Sequence, residues 1–104
     1  MSTFDDRERA YENKFARDAE LQFKAEARRN RLLGDWAAGL LGLSGDAARD
    51  YAATVVAADF EEAGDEDVYR KVAADLDGKA DEATIRAKMD ELRATAREQV
   101  ANEA

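Results

Sequence analysis

The chain has 104 residues, 24 of them acidic and 16 basic, for a net charge of −8; this length allows one small domain with an economical core, and the acidic balance sets most of the surface against nucleic acid and anionic lipid. Cysteine, histidine and proline are absent, which excludes disulfides, thiolate zinc sites, thiol nucleophiles and the commonest neutral-pH general base. Alanine at 23 positions, with many Glu, Arg, Lys and Leu, favours helix throughout, so the expected class is all-α.

The first predicted element is an arm. Residues 4–31, "FDDRERAYENKFARDAELQFKAEARRNR", place four aromatics among eight basic and seven acidic side chains, so the chain carries +1 through residue 31 and −9 beyond it. On a helical wheel Phe4, Tyr11 and Phe15 share a narrow face, with Glu8 in the gap between the first two. Ordering each backbone residue costs about 1–2 kcal/mol, so three anchors spread over three turns do not fix such a segment without a partner surface. Residues 1–20 are therefore expected to be a mobile, partly helical arm, and residues 21–104 a four-helix bundle. Two readings of the stripe stand. It is a helix that docks in a partner's groove through aromatic and Arg anchors, or an extension of the first bundle helix whose rings fold back. Half of the eight aromatics lie in the first 23 residues, which favours binding.

In "EARRNR", Arg28 shares a face with Leu21, Ala25 and Leu32 and is expected to snorkel over the bundle edge or pair with a bundle carboxylate. Nucleic-acid binding is not expected. An alternative reading gathers Lys24, Arg28 and Arg29 as a weak site for a nucleotide or another small anion.

From Leu32 onward, apolar residues recur at helical spacing and glycines at 42, 45, 64 and 78 break the pattern. The first bundle helix runs through Leu32, Leu33, Trp36, Leu40 and Leu41, and Gly34 and Gly39 either bend it or allow a second helix close to its backbone, with close packing the favoured reading. "LLGDWAAGLLGL" is too short to span a membrane and is broken by Asp35 and glycines; no positively charged, cleavable leader precedes it, so a cytoplasmic protein without membrane insertion is expected. Ser44 or Asp46 caps the second helix, over about residues 46–62, with Ala48, Tyr51, Ala52, Val55, Val56, Phe60 and Ala63 inward. "FEEAGDEDV" reads as a solvated connection whose acids favour the next helix N-terminus.

Asp65 is the expected cap of the third helix, built on Val68, Tyr69, Val72 and Leu76 and ended by a left-handed Gly78. "DLDGKADEAT" is not a calcium loop: with Gly78 at the sixth position, Ala73 and Thr84 fall where carboxylates are required. It also lacks the glycine and hydroxyl of a phosphate loop. Asp81 caps the fourth helix, with Ile85, Met89, Leu92 and Ala96 inward, Glu82 paired to Arg86, and Asp90 to Arg93 or Arg86. Acid pairs abound without a burial signal or a partner base, so no enzyme, cofactor or metal is expected.

"FDDRERAYENKFARDAELQFKAEARRNRLLGDWAAGLLG", with "DFEEAGDEDVYRKV" and "MDEL", resembles the zeta subunit of alphaproteobacterial F-type ATP synthases over nearly the whole chain. The resemblance implies a four-helix bundle whose mobile N-terminal segment enters the catalytic head at an interface of alpha, beta and gamma subunits. There it blocks hydrolytic rotation as a wedge, similar in role to the mitochondrial inhibitor protein. The family's inhibitory segment falls on Phe4, Asp5, Asp6, Arg7, Glu8, Arg9, Ala10, Tyr11 and Glu12, continuing to Phe15. The resemblance then implies Phe4, Tyr11 and Phe15 as apolar anchors, Arg7 and Arg9 as partners of subunit carboxylates, and Asp5 or Asp6 as the cap of the docking helix. It implies a cytoplasmic protein, peripheral to the inner membrane when bound. The net charge opposes self-association, so the free protein is expected to be a monomer. Relatives often carry histidine at the position of Arg17 and an apolar residue at Asp35, and their link between the third and fourth helices is usually longer.

Overall fold

Asp18 sets the start of the ordered architecture. Its backbone is extended, and its Oδ1 accepts the backbone N–H groups of Glu20 (3.0 Å) and Leu21 (3.2 Å), two donors that a helix start leaves without carbonyl partners. The computed structural model describes residues 18–59 and 65–103. Among them are four helices and no strand: α1 (Ala19–Leu40), α2 (Gly45–Ala58), α3 (Glu66–Asp75) and α4 (Glu82–Glu103). None is long and apolar enough to cross a membrane. Residues 1–17, and with them the expected arm, lie outside the described residues.

The first bundle helix therefore continues back from Leu32 through the basic cluster to Ala19, and residues 19–31 belong to the bundle. α1 packs along both α2 and α4, while α3 spans α2 and α4 at one end. Gly34 makes the α1–α2 approach possible: a Cβ there would lie 2.6 Å from the Ala52 Cα. Gly39 has open space around it, so the expectation of close packing holds at Gly34 and fails at Gly39.

The main core joins all four helices through Leu33, Ala37, Val55, Val68, Val72, Leu76, Ile85 and Met89, with Trp36, Tyr51, Tyr69 and Leu92 half-buried around it. A second, smaller cluster of Leu21, Ala25, Val100 and Ala101 holds the start of α1 to the end of α4. Between the two clusters α1 buries Arg29 and Asn30, both at most 1% exposed. The bundle is thus two apolar clusters separated by a polar layer.

Some helix ends follow expectation and others depart from it. Asp81 caps α4 as predicted, accepting the Thr84 N–H at 2.8 Å, and Gly78 takes the predicted left-handed conformation (φ +78°) beyond α3. Asp65 occupies the N-cap position of α3 but makes no side-chain cap bond, because its carboxylate is engaged by two arginines. Ser44 precedes α2 without a side-chain cap bond, and Asp46 sits in the first turn beside Arg49 at 3.6 Å. α2 ends at Ala58, short of the predicted limit, and Phe60 and Ala63 lie outside the described residues.

Candidate functional site

The residues that resemblance assigns to partner binding, Phe4, Asp5, Asp6, Arg7, Glu8, Arg9, Ala10, Tyr11, Glu12 and Phe15, all lie outside the described residues. What the described residues build is a cleft in the polar layer. It encloses about 340 Å³ and is lined by Gln22, Ala25, Glu26 and Arg29 of α1, Asp65 at the start of α3, and Arg93 and Arg97 of α4.

Arg29 is its organising group. The stem is buried in the bundle; Nε donates to Asn30 Oδ1 at 2.6 Å and Nη2 to Asp65 Oδ1 at 2.9 Å, while Nη1 has no partner among the described residues. Arg93 Nη2 donates to the other Asp65 oxygen. Burial alone would push the Asp65 carboxyl up, but the hydrogen bonds and charges of the two guanidiniums outweigh it and hold it below the usual carboxylate range. Glu26 moves the other way. Partial burial, the charges of Asp59 and Asp65, and a hydrogen bond with Asp59 raise it above the usual value, against an opposing pull from Arg29.

Carboxylate oxygens of Glu26, Asp59 and Asp65 lie within 4.8 Å of one another. Both Asp65 oxygens accept from guanidiniums, whereas Glu26 and Asp59 face each other.

The basic trio proposed from sequence does not converge. Arg28 donates to Gln99 Oε1 and Glu103 Oε2, each at 2.9 Å, which is the pairing with a bundle carboxylate that its position predicts. Arg29 turns to Asp65, and Lys24 is exposed. Arg86 bonds Glu82 at 2.8 Å as predicted and also Glu66 at 3.1 Å; Arg93, expected beside Asp90, goes to Asp65. "GDEDV" is not simply solvated: Asp65 carries two ion pairs, and Asp67 is 8% exposed and paired to Arg70. The sequence held a signal for Arg29, since Leu21, Ala25 and Leu33 are spaced so that residue 29 falls on their stripe.

Comparison with known proteins extends to the part of the chain that the geometry does not reach. The family profile of ATPase inhibitor subunit zeta matches residues 1–99. The chain belongs to this family. Among solved structures, a protein determined by solution NMR superposes with a TM-score of 0.75 at 62% identity, covering 81% of this chain and 99% of that chain. No curated protein matches. The zeta-family match includes all ten arm residues named above, the polar layer and most of α4. Membership places the chain among ATPase inhibitor subunits, associated with the F-type ATP synthase.

Proposed function

We propose that this protein suppresses ATP hydrolysis by the bacterial F-type ATP synthase, inserting its N-terminal segment as a helix into the catalytic head at an interface of alpha, beta and gamma subunits. The observation that carries the reading is the family match across residues 1–99, which takes in the arm as well as the bundle. Among the described residues, the two cores draw on positions from Leu21 onward and Asp18 caps α1.

In this mechanism Phe4, Tyr11 and Phe15 seat in apolar pockets of the head, Arg7 and Arg9 pair with subunit carboxylates, and Asp5 or Asp6 caps the helix as it forms. Glu8, Ala10 and Glu12 complete the docking turns. Ordering the arm only on docking subtracts from the interaction energy and keeps the block reversible. The action is steric, with no turnover by the inhibitor itself. The protein then works in the cytoplasm, a monomer when free and peripheral to the inner membrane when bound. Photo-crosslinkers placed singly at positions 4, 11 and 15 test the site: adducts with alpha, beta or gamma subunits are expected, and adducts confined to the inhibitor's own helices would refute it.

A second reading is a weak nucleotide or small-anion site that senses ligand without inhibition. The unpartnered Nη1 of Arg29 and the nearby Arg93 and Arg97 favour it over the Lys24–Arg28–Arg29 trio. Binding of nucleotide to the bundle, without capture of the ATP synthase head, would select this reading.

A further inference from the structure

We propose that Glu26 and Asp59 form a proton-linked clasp that fastens the end of α2, where the α2–α3 connection begins, onto α1. Three elements meet at this point. Glu26 projects from α1, Asp59 is the C-cap of α2, and Asp65 is the N-cap of α3, with carboxylate oxygens of all three within 4.8 Å. Asp65 has its own neutralising partners in Arg29 and Arg93. Glu26 and Asp59 face each other with less compensation: Arg29 attracts Glu26 but is committed to Asp65. Arg97, the remaining cation of the cleft, comes from α4. Glu61 and Glu62 lie in the intervening connection, outside the described residues.

A second observation marks this junction as more than a group of surface acids. Glu26 and Asp59 also wall a cavity of about 10 Å³ with Phe23, Ala27, Val56 and Asn30. Asn30 is fully buried, and its Nδ2 has no hydrogen-bond partner among the described residues. A buried amide donor without an acceptor is costly, and the space is about that of one water. Glu26 and Asp59 supply the carboxylates in the lining of this small cavity. A proton on Glu26 supplies the donor that the facing carboxylate pair otherwise lacks.

The proton comes from solvent and returns to it, so no other reactant is involved. When it is present, the Glu26 carboxyl donates to Asp59 and the end of α2 is held on α1. When it leaves, two anions face each other beside Asp65, and α2 is released at its last turn. Glu26 is raised in the folded state, so the clasp is fully closed below the ordinary glutamate range and opens as pH rises through the raised folded value. The clasp does not depend on the inhibitory reading: it would operate in a bundle that inhibits nothing.

Carboxyl-resolved NMR titration of the full chain, with amide exchange protection in the last turn of α2 corrected for intrinsic exchange, tests it. Glu26 is expected to titrate above the ordinary value of about 4.3, and protection at residues 56–59 to fall several-fold across that midpoint. Glu26→Gln, which keeps a donor at all pH values, is expected to abolish that step, and Asp59→Asn to lower the Glu26 midpoint. A Glu26 midpoint at or below the ordinary value overturns the clasp, as does an equal pH step in wild type and Glu26→Gln. The wild-type titration decides the matter even if a variant fails to fold.

Discussion

Two glycines in one helix separate packing from propensity. Gly34→Ala gains roughly 1 kcal/mol of helix propensity, but its Cβ would meet the Ala52 backbone at 2.6 Å, and overpacking of that kind costs about 1–3 kcal/mol or more. Urea denaturation should show a net loss. Gly39→Ala meets nothing and should be neutral or stabilising by up to about 0.5–1 kcal/mol. A stabilised Gly34→Ala would contradict the close approach of α1 and α2. Arg29→Ala would leave Asp65 with Arg93 alone and Asn30 Oδ1 without its donor. Breaking a buried pair costs about 3–5 kcal/mol, and the low end applies because Asp65 is partly exposed and keeps one partner. Sequence reading favoured close packing at both glycines and was right only at Gly34, because the face on which each glycine meets a neighbour is set by how α1 and α2 cross. It gave Arg28 a bundle carboxylate, which it finds at Glu103, but gave Arg29 no ion pair; the Asp65 that Arg29 meets is shared with Arg93, a meeting of three elements that helix spacing does not encode.

Each helix was visible in the sequence through its apolar period and its stops, and the ends that matched, Gly78 and Asp81, are those set by local backbone chemistry. Asp65 stood in the right position for a cap, but two guanidiniums outcompete the backbone for its oxygens. The start of α3 should consequently respond to acid. Asp65 is depressed in the folded state, so its contribution is complete above the unfolded carboxylate value of about 3.9 and is lost as pH falls through the lower folded value. Thermal melts from pH 6 to pH 2 should show this loss, and Asp65→Asn should be less stable at pH 6 with a flatter acid limb; an unchanged limb would contradict the arginine clamp. The two clusters predict unequal helix ends. Leu33→Ala removes a fully buried side chain of the main core and should cost about 2–5 kcal/mol of global stability. Val100→Ala acts on a cluster with four described residues, two of them alanines, so hydrogen exchange should report faster local opening at residues 19–25 and 97–103 than in the main core.

At the scale of the whole molecule the described residues form a four-helix bundle, and the sequence that precedes Asp18 is rich in aromatic and charged side chains. The all-α class and four-helix count were legible because length, alanine content and glycine punctuation restrict a chain of this size to few architectures. The polar layer was not, because it depends on how α1, α3 and α4 meet in space. The inhibitory role entered through resemblance and is supported by family membership; composition alone offered binding of some partner. Its most direct test is the ATP hydrolysis rate of the cognate catalytic head with full-length protein added, compared with protein lacking residues 1–15. Full-length protein is expected to suppress hydrolysis, and the truncated protein to retain its helicity and cooperative melting while leaving hydrolysis at the uninhibited rate. Equal suppression by both would contradict the assignment of inhibition to the N-terminal segment.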